Sequence, residues 1–128
     1  MNTPNYNAYQ QAQKLAITPS AAESASLSRA AVLLEQAKSN VKDFKAYSTA
    51  LNFNQKFWTI LQADLTSDGN RLPDELRGDL LSLSVFINKQ TVKALSDPNP
   101  EHLDVLIDIN RNVAQGLRDQ SNREQASS

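Results

Sequence analysis

Between Leu72 and Leu95 the chain carries more apolar positions than one helical face can hold. Leu76, Leu80, Leu83 and Ile87 follow the i, i+4, i+7, i+11 spacing of one stripe, and Leu81, Val85, Val92 and Leu95 make a second, offset stripe. A helix of this kind either has neighbours on both flanks or leaves one flank for a partner. The pattern on either side divides into helices as well. Pro19, Pro73 and Pro100 stand where first helical turns begin, a position that tolerates a residue without an N–H.

The segments predicted in this way are a short helix from about Asn5 to Leu15, a second from Pro19 to about Ser39, and a third from near Asp43 to Ser67. A fourth runs from Pro73 to about Leu95 and a fifth from Pro100 to Leu117. Leu27, Ala31 and Leu34 lie on one face of the second helix. Tyr47, Leu51, Phe57, Trp58, Leu61 and Leu65 recur at helical intervals along the third, and Leu103, Leu106, Ile107, Val113 and Leu117 face inward on the fifth. Asp43 is a good N-cap, and Asp74 and Glu75 complement the positive end of the fourth helix's dipole.

Between the last two helices, Ser96-Asp97-Pro98-Asn99-Pro100 reads as a rigid linker whose backbone polar groups have few internal partners. With β-branched runs missing, no segment reads as a strand. The expectation is an all-α protein, a small bundle of four to five helices forming a single domain over residues 1–117. Residues 118–128 are polar apart from Ala126 and are expected to be a disordered tail.

A length of 128 residues suffices for one domain with a real core. No cysteine is present, which removes disulfides, thiolate chemistry and sulfur ligands together. No apolar run approaches the ~20 residues that cross a bilayer, and the first residues lack the features of a secretory signal. These observations point to a cytoplasmic protein with no membrane association. The formal charge of −1 lacks the basic footprint of a nucleic-acid binder. The halves nevertheless differ in sign. Lys14, Arg29, Lys38, Lys42, Lys45 and Lys56 against Glu23, Glu35 and Asp43 make residues 1–62 net positive, and the remainder is net negative.

Catalytic chemistry has little to stand on, so the chain is not expected to be an enzyme, and no cofactor or metal is implied. The single histidine, His102, sits in a first helical turn beside Glu101, where a surface role accounts for it. Glu101, Asp104 and Asp108 share a helical face, but acidic residues near a helix start are favoured by the dipole alone. Lys38, Lys42 and Lys45 make a small basic row at helical spacing that offers a few phosphate contacts to RNA. Trp58 is the sole tryptophan and reads either as a core anchor or as the centre of a partner groove. Asn54 lies four residues before it on the same face, where a buried amide needs hydrogen-bond partners and either fixes a helix register across the bundle or caps a partner's backbone.

Several motifs in order resemble one family. They are Asn7-Ala-Tyr-Gln-Gln-Ala12, Asn54-Gln-Lys-Phe-Trp58, Leu72-Pro73-x-Glu75-Leu76-Arg77, Leu80-Leu81-x-Leu83-x-x-Phe86-Ile87 and Leu106-Ile-Asp-Ile-Asn-Arg-Asn-Val-Ala-Gln-Gly-Leu117. Together they resemble the flagellar biosynthesis regulator family FlaF of flagellated α-proteobacteria over nearly the whole chain. Phe57 departs from the leucine expected before the tryptophan.

The resemblance implies a cytoplasmic factor required for flagellin production after transcription, one that binds new flagellin in a chaperone-like way and keeps it export-competent. It also implies a functional link with FlbT, the companion regulator of flagellin translation. Flagellin's amphipathic terminal helices need cover before assembly, which a surplus apolar stripe supplies by helix-in-groove docking. Asn54, Trp58, Leu81, Val85 and Asn88 are the candidate flagellin contacts. Two other readings remain. One is an RNA-binding regulator of flagellin translation using Lys38, Lys42 and Lys45, and the other is a self-associating flagellar assembly component.

Overall fold

The computed structural model describes residues 19–127, which form four helices: α1 (Pro19–Lys38), α2 (Phe44–Leu65), α3 (Asp74–Ser96) and α4 (Pro100–Ser127). Among the described residues there is no strand. The helix expected over Asn5–Leu15 lies outside them. Local chemistry accounts for the boundaries. Asp43 caps α2 by accepting a hydrogen bond from the Ala46 N–H at 3.2 Å. Pro73 stands one residue outside α3, with an extended backbone and no side chain able to cap it.

The first and last helices make the most extensive pairing, α2 packs on both α1 and α3, and the α3–α4 pairing is the slightest. The inner face of α1 explains the first of these. Ser24, Ala30, Ala31 and Ala37 are buried among Leu27 and Leu34, and such small side chains let α4 approach closely. Ser24 Oγ donates to the Ala114 carbonyl at 2.7 Å, while Lys38–Asp104 at 2.6 Å and Arg111–Glu35 at 2.8 Å flank the seam at the surface. These pairs run in opposite directions along the two helices, so α1 and α4 are antiparallel.

Of the two stripes of α3, Leu80 and Ile87 of the first are buried, Leu76 and Leu83 are half-buried, and Ser84, Thr91 and Ala94 complete the inner face. The buried hydroxyls return to their own helix. Ser84 Oγ donates to the Leu81 carbonyl at 2.6 Å, and Thr91 Oγ1 to that of Ile87 at 2.7 Å. Neither therefore enters the core as an unpaired polar group.

Two expectations need correction. The last helix does not stop at Leu117 but continues to Ser127, through the stretch read as a disordered tail. Ser121 is buried there, and Arg118 reaches Ser24 and Ser28 of α1 at 3.3 and 3.4 Å. Along the helix itself, Arg118–Gln115, Gln115–Asp119 and Arg123–Gln120 hydrogen bonds supply i, i+3 and i, i+4 pairing that an apolar count misses.

The second correction concerns the α3–α4 linker, which is not short of backbone partners. The Asp97 N–H donates to Lys93 O at 3.1 Å, the Asn99 N–H to the Tyr47 hydroxyl at 3.2 Å, and the Glu101 N–H to Asn99 Oδ1 at 2.9 Å. Pro98 and Pro100 have no N–H to satisfy.

Candidate functional site

Two regions gather the residues singled out in the sequence, one inside the bundle and one outside it. Inside, Trp58 and Asn54 stand one turn apart on the buried face of α2 and meet Asn110 of α4. The indole Nε1 of Trp58 donates to Asn110 Oδ1 at 2.9 Å, and Asn110 Nδ2 donates to Asn54 Oδ1 at 2.7 Å. All three side chains are fully buried. Only Asn54 Nδ2 has no hydrogen-bond partner among the described residues.

Complete burial corrects the placement of Asn54 and Trp58 as partner contacts, since neither presents surface. They tie α2 to α4. Asn110 was not among the sequence candidates. Its signal was its spacing, because it follows Leu103, Leu106 and Ile107 on the inward stripe of its helix, where an amide stands out.

A second buried polar group lies in the first turn of α2. The Tyr47 hydroxyl donates to the Ala94 carbonyl at 2.7 Å while accepting from the Asn99 N–H, joining α2, the end of α3 and the linker. Burial pushes its pKa up from the ordinary 10.0, the Asn99 N–H opposes that shift, and the negative charge of Asp97 adds to it.

Outside, the flank of α3 that carries the second stripe is partly apolar. Val85 is 50% exposed and Val92 60% exposed, while Leu81 and Leu95 on the same stripe are half-buried and pack against the core. Asn88 is half-buried between Val85 and Val92 on this stripe. Leu81, Val85 and Asn88 therefore do come together, apart from Asn54 and Trp58.

The basic row does not form a single helical face. Lys38 ends α1, Lys42 lies in the turn and Lys45 belongs to α2. Lys38 is also engaged by Asp104, whose hydrogen bond and charge raise the lysine's pKa. Asp104, on the face it shares with Glu101 and Asp108, is thereby paired with a lysine. His102 Nε2 lies 3.1 Å from Asp97 Oδ2, and its backbone carbonyl accepts from Gln90 Nε2 at 3.0 Å, which places it in the α3–α4 junction. Among the described residues no three His, Cys, Asp or Glu side chains converge in a way that could hold a metal ion. No helix among them is long and apolar enough to cross a membrane.

The described residues thus form a small all-α bundle with an internal amide–indole junction and a partly apolar outer flank on α3. The model of the flagellar protein FlaF family matches residues 5–117, and the chain belongs to that family. No curated protein and no solved structure matches the chain.

Proposed function

We propose that this FlaF-family protein supports flagellin production after transcription by binding newly made flagellin as a chaperone-like export factor. The observation that carries this reading is the outer stripe of α3, where Val85 and Val92 stand at least half exposed and in line with Leu81. An amphipathic flagellin helix laid along that stripe buries its apolar face and this one together. Leu81, Val85 and Asn88 remain the contacts, joined by Val92. Asn54 and Trp58 act from within by holding α2 and α4 in place. A cytoplasmic location and a functional link with FlbT belong to the same reading.

Purified protein and its Val85→Glu variant, each mixed with monomeric flagellin and with flagellin transcript in moderate salt, test the proposal. The unchanged protein is expected to retain flagellin, and the folded variant to lose at least about ten-fold in affinity, the equivalent of ~1.4 kcal/mol. Full flagellin affinity in the folded variant eliminates this surface. Retention of transcript with a steep salt dependence, and not of flagellin, replaces the proposal with the RNA reading.

A further inference from the structure

The outer side of the α1–α2 seam combines apolar surface with positive charge that the fold does not use. Its end nearest the turn is a cleft of about 360 Å³ between Leu33, Gln36 and Ala37 of α1 and Lys45, Ala46 and Ala50 of α2. Ala46 and Ala50 begin a stripe that continues along α2 through Phe53, Phe57 and Ile60 at i, i+4, i+7, i+11 and i+14. Beyond the alanines the side chains are large and the cover is thin. Phe53 is 37% exposed, Ile60 is 59% exposed and Phe57 is half-buried. From Ala46 to Ile60 the stripe is ~21 Å long, about four helical turns.

Cations border this stripe on both sides. Lys56 of α2 lies three residues after Phe53 and four before Ile60, next to both, and Lys45 stands on the same flank at the cleft. On α1, Arg29 is one turn beyond Leu33, which in the antiparallel pair brings it to about the height of Phe53. All three are exposed and enter none of the ion pairs among the described residues. The carboxylates of the same two helices and their turn are occupied elsewhere. Glu35 pairs with Arg111 on the α4 side, Asp43 caps α2, Asp64 accepts from Asn70, and Glu23 is engaged as well.

We propose that the α1–α2 seam is a docking site for an amphipathic helix of a partner protein whose apolar stripe is bordered by carboxylates. Such a helix buries its apolar residues against Phe53, Phe57 and Ile60 and brings carboxylates to Arg29 on one rim and to Lys45 and Lys56 on the other. A basic helix of the same shape sets like charges against both rims and is rejected. A second copy of this chain is a poor occupant for the same reason, since its exposed α3 stripe, from Leu81 to Leu95, carries Lys89 and Lys93 as its only charges. The seam is separate from the α3 surface of the flagellin reading and does not depend on it.

The probe is a fluorescent synthetic helix of about four turns, with leucines at i, i+3, i+4 and i+7 and glutamates on both sides of them. Its counterpart has lysine in place of every glutamate. In low salt, fluorescence anisotropy with the full-length protein is expected to show the glutamate peptide bound at least about ten-fold more tightly, the difference shrinking as salt rises. Ile60→Asp is expected to weaken that binding at least about ten-fold, and Lys56→Glu to narrow the preference for glutamate. Val85→Glu on α3 should leave both unchanged. Ile60 and Lys56 face solvent, so thermal melts of their variants are expected to match that of the unchanged protein.

Equal affinity for the two peptides overturns the proposal, as does loss of binding in Val85→Glu in place of Ile60→Asp. A dimer seen by sedimentation and dissociated by Ile60→Asp gives the seam to a second copy and overturns it too. Tighter binding of single-stranded RNA or of anionic vesicles than of the glutamate peptide, abolished by Ile60→Asp, assigns the seam to that ligand instead.

Discussion

Trp58 and Asn110, separated by 52 residues in sequence, are joined by a fully buried hydrogen bond of 2.9 Å from the indole N–H to the amide oxygen. Asn110 is thereby the centre of the junction. It accepts from Trp58 and donates to Asn54, whereas Asn54 takes part in only one bond. Removing the central amide strands two buried polar groups, and each stranded group costs about 1–3 kcal/mol. Asn110→Ala is therefore expected to destabilise the protein more than Asn54→Ala, which leaves only the Asn110 amino group without its acceptor. Urea unfolding of both variants measures the order, and equal midpoints would remove the central role given to Asn110. Trp58→Ala adds a cavity and is expected to cost about 3–5 kcal/mol.

Tyr47 predicts a stability that depends on alkaline pH. Its folded-state pKa is raised above the ordinary 10.0, chiefly by burial, so folding favours the neutral hydroxyl. The stabilisation is complete below pH 10 and is lost as pH rises through the folded value, because the unfolded chain gives up that proton first. Tyr47→Phe is expected to be less stable at neutral pH and to show a shallower loss above about pH 10 than the unchanged protein. Parallel slopes in pH-dependent denaturant melts contradict it.

The same hydroxyl holds the Asn99 N–H, so the linker amide is expected to exchange slowly in the native protein. Tyr47→Phe should accelerate Asn99 while leaving the interior of α2 protected. Residue-resolved hydrogen exchange checks this. Rapid Asn99 exchange before mutation means that the bond does not persist in solution.

Paired charge substitutions on α3 separate its two flanks. Ile87 is fully buried and Val85 is 50% exposed, two residues away. Ile87→Glu strands an unpaired carboxylate and is expected to cost more than about 4 kcal/mol, whereas Val85→Glu should stay within about 0.5 kcal/mol. Circular dichroism and thermal melts give both values. Unfolding by Val85→Glu would mean that this flank is covered.

The end of α4 makes a further prediction. Ending the chain after Leu117 removes Arg118 and its reach to Ser24 and Ser28, together with buried Ser121. The shortened protein should lose helical signal at 222 nm beyond its loss of mass and melt earlier. An unchanged ellipticity per molecule would show the removed stretch to be non-helical.

Much of this architecture was legible before any coordinates, because it is written in local chemistry. Prolines that open helices, Asp43 as a cap and the spacing of Leu27, Leu51, Leu80 and Leu106 depend on a few adjacent residues, and the four described helices fall within a residue or two of their predicted starts. The outer flank of α3 was equally visible, since a surplus of apolar positions is a property of one segment. The helical end of α4 was not, because its support comes from polar pairs and from α1.

By itself, then, the sequence determined the helical class, the helix boundaries near the prolines and the existence of two apolar stripes on α3. Tertiary structure decided which stripe is buried, that Asn54 and Trp58 face inward, and that Tyr47 anchors the linker. The physical reason is that burial and hydrogen bonding are settled by whatever packs opposite. The partners here are far apart in the chain: 52 residues for Trp58 and Asn110, 56 for Asn54 and Asn110, and 47 for Tyr47 and Ala94. Helical periodicity reports which residues share a face, and only the neighbouring helix determines whether that face meets protein or water.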